Sequence, residues 1–197
     1  MFVFISFRSV FRTNHLWNCR RKITIQNGDV LISKSKDIFV NLALEDWLYK
    51  NIDFTQKSIL LMWTNGPAIV IGRHQNPWDE CKLNVCRQQN VSVARRNSGG
   101  GTVYHDFNNL NCSFITSKAN YCRKRNLQFI SHVLWENWSI QSEISPREDL
   151  VLKQTGEKIS GTASKLSSKN AYHHCTLLVD VDLDQMRSVI RKRHDVR

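Results

Sequence analysis

The sequence lacks any run of about 18 apolar residues, so no membrane-crossing helix is expected and no membrane partner is inferred. It has only three prolines and no repeat or low-complexity stretch, so nothing marks a linker between domains. It has no CxxC pair. The six cysteines, Cys19, Cys81, Cys86, Cys112, Cys122 and Cys175, are spread along the chain, and His173-His174-Cys175 is the one His/Cys cluster. A zinc site needs four converging ligands at recognisable spacing, so no metal site is expected. Reduced, partly buried thiols suit a reducing compartment such as the mitochondrial matrix.

Acidic residues are absent from the first 28 positions, which carry Arg8, Arg12, Arg20, Arg21 and Lys22 among apolar side chains. That composition predicts a mitochondrial transit peptide over residues 1–26, followed by a single domain over 27–197. The five charges belong to a formal net charge of +11, and a further basic cluster, "RSVIRKRHDVR", closes the chain. With the charge concentrated at the ends, no nucleic-acid partner is expected.

The hydrophobic periodicity predicts an α+β fold: a mixed, largely antiparallel sheet with flanking helices. "DIFVNLALEDWLY" reads as a helix capped by Asp37, with Phe39, Leu42, Ala43 and Trp47 on one face. "NLQFISHVLWENW" reads as a second helix, with Leu127, Ile130, Leu134 and Trp138 aligned. "DLDQMRSVIRKR" is a closing helix with Asp182 and Gln185 in capping-box spacing. "SILLMWTNGPAIVIG" reads as two strands around a turn, and "VSVA", "TVYHD", "LNCSFIT", "DLVL", "KISGTAS" and "YHHCTLLVDV" as further strands.

The glycines then stand out. In "ARRNSGGGTVYHD", Arg95 and Arg96 precede Ser98 and the run Gly99-Gly100-Gly101. Consecutive glycines cost order on folding but let a ligand approach the main chain, and successive N–H groups can cup an anion. Beside two arginines, this predicts a phosphate or carboxylate ligand. The run is neither a dinucleotide fingerprint nor a P-loop. A second small-residue stretch, "GEKISGTASK", places Lys158 just before Ser160-Gly161. The two stretches predict the walls of a narrow tunnel for a long apolar acid with an activated phosphate end. Lys153 and Lys165 read as solvated. His173 and His174 are adjacent in a strand, so at most one faces the tunnel. These two and His105 are expected to be structural, with a general-base role as the alternative.

The segments "NLALEDWL", "IVIGRHQNPWDEC", "ARRNSGGGTVYHDFNNLNCSF", "REDLVL", "KISGTASK" and "AYHHCTLL" resemble, in order, the lipoate–protein ligase and lipoyltransferase family. The resemblance covers roughly residues 37–182 and is highly specific. It implies a catalytic domain like those of biotin and lipoate protein ligases and class II aminoacyl-tRNA synthetases, incomplete at its C-terminus and without the family's accessory domain. It implies Lys158 as the catalytic cation. It implies Arg96, Ser98, Gly99, Gly100, Gly101, Thr102, Val103, Tyr104, Arg147, Lys158 and Thr176 as contacts to substrate and nucleotide. The implied substrate is lipoyl-AMP, with ATP and Mg²⁺ if the chain also makes the adenylate. The implied partners are lipoyl domains of 2-oxoacid dehydrogenase acyltransferase subunits and the glycine-cleavage H protein. A catalytically inactive form that only binds lipoyl-AMP or a lipoyl domain is the alternative.

Overall fold

A computed structural model describes residues 3–6 and 27–191. Apart from Val3–Ser6, the expected leader lies outside the described residues, as does most of the basic C-terminal cluster.

The chain builds two facing sheets and a hairpin. The elements are β1 (Val3–Ser6), β2 (Asn27–Ile32), α1 (Ile38–Asn51), β3 (Lys57–Trp63), β4 (Ala68–Ile71), α2 (Pro77–Glu80) and α3 (Leu83–Gln88). Then come β5 (Ser92–Arg95), β6 (Val103–His105), β7 (Asn109–Ser117), α4 (Arg123–Trp138), β8 (Ser142–Ile144) and β9 (Leu150–Leu152). β10 (Ser160–Leu166), β11 (Asn170–Leu178) and α5 (Leu183–Val189) complete the order. The large sheet runs β1-β2-β3-β7-β11-β10, antiparallel except where β2 meets β3. The small sheet runs β5-β4-β6, with β4 parallel to β5 and antiparallel to β6. The α+β, antiparallel-rich architecture matches the expectation. The detail differs at one turn: β3 and β4 do not pair with each other but enter different sheets. The Thr64–Pro67 segment is thus a crossing between layers, which sequence alternation does not reveal.

α1 turns the other way from the sequence expectation. Asp37 caps it, its Oδ1 accepting from Phe39 N at 2.7 Å. The buried residues are Ile38, Asn41, Glu45, Leu48 and Tyr49, whereas Phe39 and Trp47 are each 55% exposed. The helix is apolar nearly all round, so periodicity could not choose a face. Hydrogen bonding chose it, because Asn41 and Glu45 find partners inside (below). Leu48 and Tyr49 pack with Leu31, Ile59, Leu61, Ile115 and Tyr172 of the large sheet.

The other face of that sheet is covered by α4 through Leu127, Ile130 and Leu134, which meet Cys112, Cys175 and Leu150. Trp138, expected on this face, is 64% exposed, one residue before the helix ends at Ser139 in a left-handed turn. α3 and α5 close the small sheet, where Ile69, Ile71 and Tyr104 bury against Cys81, Cys86 and Val189. Asp182 caps α5 by accepting from Gln185 N at 2.8 Å. The Gln185 side chain does not complete a capping box; its Oε1 accepts from the Tyr104 hydroxyl instead. No described helix is long and apolar enough to cross a membrane.

Candidate active site

Between the two sheets lies a cavity of about 310 Å³. Its floor is one transverse row of the large sheet: Gly161 on β10 pairs with Thr176 on β11, Thr176 with Asn111 on β7, and Asn111 with Trp63 on β3. All four line the cavity. Three strand spacings separate Gly161 from Trp63, so the slot is about 14 Å long. The opposite wall is the small sheet, with Val70 and the inward residues of β6, Val103 and His105. The two sheets approach at Gly161: a Cβ there would lie 4.0 Å from Val103 Cγ1 of the small sheet and 3.4 Å from Thr176 Oγ1 of its own.

Strand alternation sorts the expected residues. Val103 faces the cavity, but Tyr104, the next residue, faces the small sheet's own core, with its hydroxyl on Gln185. Tyr104 is therefore not a pocket residue, contrary to expectation. On β11, His174 and Thr176 face inward. His173 lies behind them, fully buried and stacked on Phe114 with 6.1 Å between ring centroids. Burial pushes the His173 pKa down to about 3.

Both arginines are committed to main-chain carbonyls. Arg95 Nη1 donates to Gly72 O, Arg73 O and Gln75 O at 3.1, 3.0 and 2.7 Å. Arg96 is 5% exposed and ties the glycine loop into a collar. Its Nη1 donates to Val70 O at 2.9 Å, its Nε to Ser98 Oγ at 3.0 Å, and its Nη2 to Gly99 O and Gly101 O at 2.7 and 2.6 Å. The expectation that both guanidiniums bind the ligand anion directly missed these carbonyls, of which Val70 O is buried and needs a donor. Arg96 still borders the cavity, together with Gly101 and Thr102, whereas Ser98, Gly99 and Gly100 do not line it. Gly100 has a φ of +91°, and a Cβ on it would meet Arg96 Nη2 at 3.0 Å. On Gly101 a Cβ would meet open space.

Ser98 Oγ, already accepting from Arg96, is 2.7 Å from His174 Nε2, and His174 Nδ1 is 2.9 Å from Glu45 Oε1. These contacts link Ser98, His174 and the buried Glu45 in one chain of polar groups. The order Ser–His–Glu resembles a hydrolytic triad, but Ser98 is 1% exposed and held by Arg96. It is a tie between α1, β11 and the collar, not a nucleophile.

Charged groups gather at the β10 end. Lys158 Nζ lies 2.8 Å from Asp149 Oδ2, and Arg123 Nη1 lies 3.0 Å from Glu148 Oε2. Both pairs are partly solvated and worth about 0–1 kcal/mol, so an entering anion exchanges for the carboxylates at little cost. Arg147 is exposed and has no ion-pair partner among the described residues. The cavity therefore gathers Arg96, Gly101, Thr102, Val103, Arg147, Lys158 and Thr176 of the expected set. Glu45, Gly72, Arg123 and Asp149 were not singled out as site residues, and His174 was weighed only as a general base. Only the resemblance to the family's segments pointed near them. No group of three or more His, Cys, Asp or Glu side chains that could hold a metal ion converges among the described residues.

Fold and site together define an α+β domain whose two sheets grip a long slot, apolar at one end and cationic at the other. A family model, the lipoyl protein ligase A/B catalytic domain, matches residues 37–196, and the chain belongs to that family. It is 46% identical over 172 residues to the human mitochondrial lipoyl amidotransferase LIPT1, covering 86% of this chain and 46% of that protein. It is 40% identical to lipoate-protein ligase A of Bdellovibrio bacteriovorus, covering 82% of this chain and 48% of that one. The chain thus spans about half the length of the curated relatives it matches. Among solved structures, LipL1 of P. falciparum in complex with lipoate superimposes with a TM-score of 0.73 at 32% identity, covering 82% of this chain and 51% of that one. A lipoate-protein ligase A bound with ATP shares the fold, with a TM-score of 0.66 at 23% identity over 76% of this chain and 65% of that one.

Proposed function

We propose that the chain binds lipoyl-AMP and transfers the lipoyl group to a lysine ε-amine of a lipoyl domain. The observation that carries this reading is the polarity of the slot. Leu42 and Trp63 line one end, and Lys158, Arg123 and Arg147 the other, with Val70, Val103 and the arginine-held glycine collar between them. An acyl chain fits the first end and an acyl phosphate the second. The names of the relatives support the same chemistry: a lipoyl amidotransferase, a lipoate-protein ligase, and a structure with lipoate bound.

In the transfer, the neutral amine nitrogen of the acceptor lysine attacks the acyl carbon. A C–N bond forms, the C–O bond to the phosphate breaks, AMP leaves with that electron pair, and the amine proton passes to solvent. Negative charge grows on the carbonyl oxygen and then on the phosphate. Lys158, released from Asp149 when the anion enters, opposes both, because a cation held beside the reacting atoms stabilises the charge that develops there. Arg147 and Arg123 add positive potential at the mouth. Arg96 acts through the collar, holding its carbonyls turned away so that the Gly101–Thr102 main chain faces the ligand. If the domain also forms the adenylate, Mg²⁺ would arrive with ATP, and no step here runs through the metal.

The finer assignments belong to the same proposal. The acceptors are lipoyl domains of 2-oxoacid dehydrogenase acyltransferase subunits, a lipoylated H protein is an alternative donor, and the site of action is the mitochondrial matrix. The human relative's name places that protein in mitochondria. The test supplies the chain with lipoyl-AMP and a recombinant lipoyl domain and follows acylation of the acceptor lysine by mass spectrometry. Amide formation with release of AMP is expected. Tight binding of lipoyl-AMP without turnover would replace transfer by the binding-only reading.

A further inference from the structure

Charge is spread unevenly over the domain. Residues 118–170 hold nine lysines and arginines against five acids, whereas the rest of residues 27–191 is balanced, with eleven of each. Much of the excess follows one line. β10 is the outer strand of the large sheet, and cations flank its free edge. Lys158 stands two residues before the strand begins, and Arg123 Nη2 lies 3.3 Å from Ser164 Oγ in its middle. In the turn beyond its last residue, Lys118 N donates to Lys169 O at 2.7 Å. The line runs the length of a seven-residue strand, about 20 Å.

The start of α4 shows that this charge works against local stability. Arg123, Lys124 and Arg125 fill its first turn, which holds no acid. The helix dipole is positive at that end, so cations are unfavourable there. Arg123 is met by Glu148, and Arg125 by the Asn120 carbonyl. Lys118, Lys124 and Lys169 are exposed and have no ion-pair partner among the described residues. Charge can guard a free sheet edge against pairing, but acids would guard it as well. The same edge is where the slot opens: Arg147 and Lys158 line the cavity at its β10 end, and both are exposed. A lysine side chain is short, so the protein that carries it must rest against this edge while its amine reacts.

We propose that the cationic line along β10 is the docking surface for the acceptor, a protein domain that presents carboxylates on the face around its target lysine. Opposite charge steers the encounter and fixes the direction of approach. The proposal rests on the lipoyl-transfer reading above and adds where the acceptor binds.

The experiment supplies the full 197-residue chain with lipoyl-AMP and compares two acceptors. One is a recombinant lipoyl domain, the other N-acetyl-lysine amide, an amine with no surface to dock. The variant combines Lys118→Glu, Lys124→Glu and Lys169→Glu, none of which lines the cavity. KM for the lipoyl domain should rise roughly tenfold, as three exposed charge pairs would require. The kcat, the affinity for lipoyl-AMP and the rate on the small amine should not change. Lys124→Glu alone should raise the melting temperature, because an acid suits a helix N-terminus, which separates lost docking from lost folding. If the triple variant does not fold, a salt series on the unaltered chain carries the test. Its kcat/KM should fall about tenfold from roughly 50 to 500 mM salt with the lipoyl domain, and stay level with the small amine. An unchanged KM, or transfer indifferent to salt, overturns the docking surface and leaves the lipoyl reading standing. Equal losses on both acceptors do the same, because they assign the lysines to the ligand. Binding of a single-stranded RNA oligomer that the triple variant loses, with transfer untouched, assigns the line to nucleic acid instead. Acylation of neither acceptor by the unaltered chain overturns the lipoyl reading itself.

Discussion

A Cβ placed on Gly72 would lie 2.0 Å from the carbonyl oxygen of Gly100. The end of β4 and the glycine collar are thus in main-chain contact, and Arg95 and Arg96 brace the two sides from within. Gly72→Ala should push the collar out of place. The expected cost is about 1–3 kcal/mol of stability, read from urea unfolding, with loss of lipoyl-AMP binding. Wild-type stability in this variant would show that the collar is free to shift.

Gly101 is the position at which a side chain would enter the cavity. Gly101→Val should fold with stability close to that of the parent and bind lipoyl-AMP about tenfold more weakly or worse. Gly100→Val tests something else, because its φ of +91° strains any β-branched residue and its Cβ would press on Arg96. It should lose stability first. Calorimetric melts beside ligand titrations separate the two effects.

Lys158→Ala should slow lipoyl transfer about 10²- to 10³-fold, by analogy with loss of one oxyanion donor. Lys158→Arg should rescue poorly, since a planar fork does not replace a compact ammonium. Lys153, exposed, should tolerate alanine. Lys165 is not solvated as its sequence context suggested: Nζ lies 3.2 Å from Asp46 Oδ1 and 4.8 Å from the centroid of the Tyr49 ring. Lys165→Ala should therefore cost about 1 kcal/mol of stability with a smaller effect on turnover than Lys158→Ala. Equal turnover losses at the two positions would remove Lys158 from its assigned role.

Acid should destabilise the protein well above the carboxylate range. His105 and His173 have folded pKa values near 3, below the 6.5 of an unfolded histidine. Between those values the unfolded chain binds more protons, so stability falls as pH drops through 6.5 and continues to fall toward 3. Each histidine contributes a slope of about 1.4 kcal/mol per pH unit in that window. Denaturation series at pH 7.5, 6 and 5 measure the slope, and His173→Asn should make it shallower.

Arg96→Lys should disorder the collar although the charge is kept. Arg96 donates to three carbonyls and a hydroxyl in fixed directions, and an ammonium cannot reach all four. The expected loss is about 1.5–3 kcal/mol, with weaker ligand binding. Measurement by thermal melt and by lipoyl-AMP titration would show both.

Much of this protein was legible in the chain. Alternation in "TVYHD" and "YHHCTLL" marks strands, Asp37 and Asp182 mark helix starts, and the glycine run beside Arg96 marks the place where a ligand meets the main chain. These signals are local: they follow from side-chain period, capping and the missing Cβ, and each is complete within a few residues. What the sequence could not determine depends on partners distant along the chain. Which face of α1 is buried was decided by Glu45 finding His174, 129 positions away, and by Asn41 finding Asn65. Whether Arg96 binds a ligand or the protein's own carbonyls was decided by Val70 and the collar folding around it. Buried polar groups must be satisfied by whatever the tertiary structure brings near them, and that assignment exists only once the sheets have closed on one another.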